Sequence, residues 1–329
     1  TELVPAGTLL GFDEVLLNTE DCRNQTALRL MEYTRADAEK ITVWETDTEV
    51  CCAGGNFTYI LDKCTGLFSQ LHYAGKAYLD RPMELNIWRA PTDNDMYLKK
   101  EWKRARYDHA YTRAYETVVC QAGESVIISS AAAVLADALQ RMMEVQMTWR
   151  IDHNGGISAD LLVKRNMEFP ALPRFGIRLF LKKEFDEVSY YGMGPMESYS
   201  DKHRAASHGM YRAKVTELHE PYIRPQENGS HMDCDYVLVS DGRFVLGAVS
   251  VRPFSFNASV YTQEELEQKA HDYELEASGS TVLCLDYAQN GIGSNSCGPE
   301  LPKQYQFDEE EFLFTVKLVW YEKKLDEQL

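Results

Sequence analysis

No window of this sequence approaches the roughly 18 consecutive apolar residues that a membrane-spanning helix needs, and the opening stretch TELVPAG has no basic-then-apolar signal region. A soluble, unprocessed chain is the expectation. Basic residues are scarce: 34 Lys and Arg against 51 Asp and Glu leave a net charge of −17, a field that repels phosphate backbones and anionic headgroups. Nucleic acid and membrane surfaces are poor partners for such a chain. The cysteines at positions 22, 51, 52, 64, 120, 234, 284 and 297 include no CxxC spacing, so a zinc site lacks its ligand pattern, and adjacent Cys51 and Cys52 bridge only under strain. Reduced, buried thiols of a cytoplasmic protein are expected. There is also no repeat of solenoid period and no low-complexity tract.

What is present is a pattern of period two. With 44% hydrophobic residues among 329, the chain can bury a sizeable core as one large domain or two ordinary ones. In Met143–Ile151 every odd position is apolar and every even one polar, as expected of a strand with one buried face. Ile157, Ala159, Leu161 and Val163 repeat the pattern, as do Phe175, Ile177, Leu179 and Leu181, and later Phe312, Phe314, Val316, Leu318 and Trp320. Turn signals such as Ala53-Gly54-Gly55-Asn56, His153-Asn154-Gly155-Gly156 and Asp241-Gly242 separate short runs, which argues for many antiparallel strands in an all-β sandwich.

Helices are expected to be few. Thr262 and Glu265 form a capping-box pair ahead of Leu266 and Ala270, predicting a helix of two or three turns. Leu98–Arg106 has helical propensity, and its five basic residues are read as a solvated face. Ala131–Leu139 is read as strand, turn, strand. Residues 9 to 17 alternate as one strand without nearby partners, so residues 1–20 are expected to complete a sheet whose other strands lie upstream. Polar, aperiodic residues 21–47 read as a connector, and 48–329 as the main domain.

The chemistry is densest in Trp88–Asp95, WRAPTDND. Pro91 has no N–H to donate, so the strand-like run through Leu85 and Ile87 is expected to leave its sheet there. Asp93, Asn94 and Asp95 then sit on a turn, where they can hold sugar hydroxyls, cap the following helix or bind a hard cation; capping is the commonest of these roles. Three later stretches are similarly dense: Tyr190–Asp201 (YYGMGPMESYSD), Tyr222–Gly229 (YIRPQENG) and Gly291–Ser296 (GIGSNS).

These four stretches, in this order and with the closing Val316–Trp320 run, resemble the C-terminal region of β-galactosidases of the lac-operon type, in glycoside hydrolase family two. The resemblance covers nearly the whole chain. It implies that residues 48–329 form a large antiparallel two-sheet supersandwich similar to galactose mutarotases, and that residues 1–20 are the trailing strand of an immunoglobulin-like domain. It also implies a retaining glycosidase whose two catalytic glutamates lie on an upstream TIM barrel. No strand–helix alternation of that kind occurs here, so no catalytic residue and no metal ligand is expected in this chain, and magnesium and sodium belong to the barrel. The implied partners are a galactoside sugar, the upstream domains of the same polypeptide and further copies of it.

Within this frame Asn295, Ser296 and Cys297 are the candidates for the sugar pocket. Family members place a stacking tryptophan where this chain has Cys297, and a thiol offers no aromatic face to a pyranose ring. A mobile loop of the family is likewise cut short here, with Met96 in place of its glycine. Arg89, Asp93, Asn94, Asp95, Glu197, Tyr199, Glu227, Asn228 and His231 are candidates for a concave face or an interface. Glu197 is expected to pair with Arg89 or Arg204, and Asp233 to orient His231 if that residue acts as a base. A stand-alone aldose epimerase and a carbohydrate-binding module are the alternatives.

Overall fold

The computed structural model describes residues 3–15, 24–33, 40–138, 140–293 and 296–323. Its strands bury the faces that the alternation predicts. In Met143–Ile151 the odd positions are buried and Glu144, Gln146 and Arg150 exposed. On one side of Ile157–Arg165, Ala159 and Leu161 lie opposite Trp149 and Met147; on the other they face Val316 and Phe314 of Glu311–Glu322. One apolar face therefore runs across three strands. Every strand pairing among the described residues is antiparallel.

Two sheets result. A five-stranded meander runs from Thr42–Glu45 through Glu49–Ala53, Phe57–Asp62 and Leu67–Tyr73 to Lys76–Ala77. In the twelve-stranded sheet the spatial order is Ser207–Lys214, Glu187–Gly194, Ser230–Ser240, Phe244–Ser259, Glu311–Glu322, Ile157–Arg165, Met143–Ile151, Ser125–Leu135 and Tyr111–Ala122. Its remaining strands form a branch, because Phe244–Ser259 changes partner midway. Residues 244–249 pair with 317–322, whereas 255–259 pair with 282–286 of Ser280–Gln289. Pro253 falls between the two ladders, where its missing N–H leaves no bond unmade. Ser280–Gln289 then pairs with Arg174–Lys182, which pairs with Leu79–Asn86.

The sheets share one core. Trp149, fully buried, donates Nε1–H to the Gly66 carbonyl (2.8 Å) and meets Phe68 of the small sheet edge-on at 5.2 Å. Trp320 packs against Tyr59 at 5.4 Å and Tyr78 at 6.2 Å. Each such side chain removed from water contributes on the order of 1.5–3 kcal/mol.

The helices and margins differ in part from expectation. Leu98–Arg104 and Gln263–Gln268 are helical, the latter shorter than expected, with the Thr262 hydroxyl accepting from Glu265 N. Ala131 to Leu135 end a strand and a turn follows; Leu139 lies outside the described residues. Within the expected connector 21–47 stand a helix, Gln25–Met31, and the first strand, Thr42–Glu45. That helix buries Ala27 and Leu30 beside Tyr236, Val249 and Val319, a two-residue stripe too short for periodicity to reveal. Residues 9–15 pair with no strand among the described residues, and Leu9, Leu10 and Phe12 are exposed, so the expected pairing with upstream strands has nothing here to meet it. Leu16 and Leu17 lie outside the described residues. Among the described residues, no helix is long and apolar enough to cross a membrane. Of the seven described cysteines, all free, Cys51, Cys52, Cys234 and Cys284 are buried but Cys64, Cys120 and Cys297 are exposed.

Candidate functional site

The segment 87–97 leaves its sheet earlier than Pro91 requires. The strand ends at Asn86, whose side-chain carbonyl accepts Trp88 N–H at 3.1 Å and turns the chain. Trp88 is then buried against Trp102 of the helix Leu98–Arg104, ring centroids 6.3 Å apart. The buried Arg89 places its guanidinium 5.1 Å from the Trp102 ring. Arg89 donates to both oxygens of Asp95 (Nε to Oδ2 3.2 Å, Nη2 to Oδ1 2.7 Å), to the Gly291 carbonyl at 3.1 Å and to the Asn290 carbonyl. Asp95 also accepts Thr92 N–H at 2.9 Å, so it caps the short turn Asp93–Met96 rather than the helix beyond.

Tyr222–Gly229 locks onto this turn from the other side. Glu227, buried, accepts Ala90 N–H at 2.9 Å and returns its own N–H to the Ala90 carbonyl at 2.9 Å. Its other oxygen takes Nη1 of Arg174, which also holds Asp286 and, at 3.0 Å, Asn257 Oδ1. Burial alone lowers an arginine, yet Asp286 and Glu227 more than offset it and hold Arg174 above its ordinary value. Gln226 Oε1 accepts Asp93 N–H at 2.8 Å, and Asn228 braces the turn through Glu220 N–H at 3.0 Å and the Gln226 carbonyl at 2.9 Å.

Tyr190–Asp201 supplies the third wall. Glu197, buried, accepts Gly229 N–H at 2.9 Å with one oxygen and takes both Lys202 Nζ and the Tyr222 hydroxyl with the other. Neither Arg89 nor Arg204 is its partner, because Arg89 is consumed by Asp95 and Lys202 lies only five residues away. Burial opposes the Lys202 charge, but its bonds to Glu197 and Tyr222 raise it above its ordinary value. Tyr199 is buried with its hydroxyl 3.5 Å from Glu197 and lines no open face. Asp201 reaches the fourth motif, accepting the N–H groups of Ile292 (2.9 Å) and Gly293 (2.6 Å). Asn94 Nδ2 donates to the Ile292 carbonyl at 2.6 Å.

The four motifs thus converge. They surround a cavity of about 440 Å3 whose walls include Asp93, Asn94, Lys202, Tyr222, Gln226 and Gly293. A second depression of about 420 Å3 adjoins it across Lys202 and Tyr222, and Tyr305 lines its far side. A larger one, about 780 Å3, lies among Glu187, Arg212, Lys214 and Tyr236 and receives no motif residue. Size alone therefore does not locate the site.

Other candidates fall elsewhere. His231 is buried between Tyr190 and Phe256, with Nδ1 3.0 Å from the Tyr190 hydroxyl and 3.2 Å from the Met193 carbonyl. Burial pushes its pKa down to about 4. Asp233 does not orient it: the strand bulges between His231 and Cys234, and Asp233 is exposed at φ +51°. Ser296 is half-buried and Cys297 exposed, neither of them among the described residues that line the cavity, and Asn295 lies outside the described residues. Among the described residues no three His, Cys, Asp or Glu side chains are grouped to hold a metal. Sequence reasoning missed Arg174, Asp286, Lys202 and the role of Asp201. Asp201 ends a motif already singled out, whereas Arg174 and Asp286 sit in ordinary strand patterns.

Comparison with known proteins gives a family: the one described as Beta galactosidase small chain matches residues 53–318. The chain belongs to that family. Its relatives include the β-galactosidase of Actinobacillus pleuropneumoniae, 43% identical over 320 residues, covering 97% of this chain and 31% of that protein. The β-galactosidase of Staphylococcus xylosus is 34% identical over 313 residues, covering 94% and 31%. This small-chain sequence therefore spans about a third of the length of the curated relatives it matches. Among solved structures, galactose 1-epimerase from Lactobacillus acidophilus aligns with a TM-score of 0.44 at 8% identity, covering 88% of this chain and 100% of that one.

Proposed function

We propose that this chain is the C-terminal portion of a cytoplasmic β-galactosidase that hydrolyses terminal β-D-galactosides by a retaining mechanism. In this reading the reacting glutamates stand on an upstream barrel, about 5–5.5 Å apart as retention requires, and this chain docks there to form part of the wall around the aglycone. One observation carries the reading: four distant motifs build one polar cleft whose buried glutamates are already spent. Glu197 is bonded to Lys202, Tyr222 and Gly229, and Glu227 to Arg174 and Ala90. Such carboxylates fix loops; they are poorly placed to give up or accept a proton in turnover.

What remains for a ligand suits hydroxyl groups. Asp93, Asn94, Gln226 and Lys202 offer donors and acceptors, and Tyr222 brings an aromatic ring to the same wall. Free thiols at all seven described cysteines support the cytoplasmic location, and homo-oligomerisation through the upstream domains completes the proposal. Reconstitution tests it. The upstream portion of the Actinobacillus pleuropneumoniae enzyme, assayed with a chromogenic β-galactoside, should gain at least about tenfold in kcat/KM when this chain is added. No gain on addition, with both parts folded, would contradict the docking role.

A further inference from the structure

We propose that Asp201 is a positioning residue for saccharide recognition: its carboxylate sets the height of residues 290–293 over the Asp93–Asn94 turn. The inference rests on the reading of the cleft given above. Both carboxylate oxygens are used, one on Ile292 N–H at 2.9 Å and one on Gly293 N–H at 2.6 Å. Two successive backbone donors on one anion form a small nest, stronger than a pair of neutral hydrogen bonds.

The glycines of the GIG stretch give an independent reason. Neither Gly291 nor Gly293 holds a positive φ, so neither is required by backbone conformation. Both lie against the Asp201 carboxylate. A Cβ on Gly291 would lie 2.8 Å from Asp201 Oδ2 and 2.9 Å from Leu301 Cδ1, and one on Gly293 would lie 3.0 Å from Asp201 Oδ2, its three nearest atoms all belonging to Asp201. The motif is cut to admit this carboxylate. Opposite it, Asn94 holds the Ile292 carbonyl at 2.6 Å, and Arg89 holds the Gly291 carbonyl at 3.1 Å. The loop is thus gripped from both sides, and both Asp201 and Asn94 line the cavity.

Amide exchange of the chain and kinetics of the reconstituted enzyme test this together. Asp201→Asn replaces one acceptor by a donor, so the amides of Ile292 and Gly293 should exchange about tenfold faster or more, while those of Ser280–Gln289 stay unchanged. Gly293→Ala should do the same without touching Asp201, and in an Asp201→Ala background it should add nothing, because the clash has gone. In the reconstituted enzyme Asp201→Asn should raise KM about tenfold with kcat within about twofold, as for lost uniform binding. Unchanged exchange at 292 and 293, additive Gly293→Ala and Asp201→Ala effects, or unchanged KM would each overturn the inference. An inactive wild-type reconstitution would instead remove the reading beneath it.

Discussion

A histidine with nothing to titrate against is the sharpest case at the scale of a residue. His231 has no carboxylate partner and its Nε2 makes no hydrogen bond, so burial keeps it neutral at about 4, against an ordinary value of 6.5. The folded state then binds fewer protons than the unfolded state between those values. Its contribution is fully present above pH 6.5 and is lost as pH falls towards 4, amounting to about 3 kcal/mol at the acid end. His231→Phe should remove that component. Urea unfolding at pH 7 and pH 4.5 checks it: wild type should lose more stability than the variant, and parallel losses would show that His231 titrates freely. The sequence hid this because His231 and Asp233 are two apart, which on an unbroken strand places both on one face; the bulge between His231 and Cys234 breaks that rule.

At the scale of an element, legibility followed periodicity. Met143–Ile151 alternates over all nine residues and was readable in full, and residues 312–320 marked the middle of Glu311–Glu322, since period two has few competing explanations. The helix Gln25–Met31 was not, because its core contact rests on Ala27 and Leu30 alone. Arg174–Lys182 shows a further limit. Eight of its nine residues are buried, Arg174 and Arg178 among them, so its apolar alternation understated how deep it lies. Gly176 of that strand lets the Ser280–Gln289 ladder close in, for a Cβ there would stand 2.1 Å from the Leu285 carbonyl oxygen. Gly176→Ala should therefore cost more than about 3 kcal/mol by overpacking against backbone that cannot yield. Gly298→Ala, with nothing within 4 Å and no positive φ, should leave the thermal midpoint unchanged. Equal midpoints for the two variants would contradict the register.

At the scale of the whole molecule, the four motifs were legible as a set but not as a mechanism. Their wording marks a family, yet only the fold shows that Arg89, Asp95, Glu197 and Glu227 are internal fasteners while Asp93, Asn94, Lys202 and Tyr222 face open space. Ion pairing decides which is which, and it depends on contacts as distant as Glu227 with Arg174. A buried carboxylate must find a partner, because leaving it unpaired costs about 3–5 kcal/mol; the motif acids that found partners were removed from chemistry by doing so. In the proposed function the molecule is a wall for a sugar pocket, with the reacting groups on the upstream barrel. Incubating the isolated chain with a chromogenic β-galactoside measures that directly. Release of chromophore no faster than in a protein-free blank is the expected result, and hydrolysis well above the blank, retained by purified chain and lost on Glu197→Gln or Glu227→Gln, would contradict it.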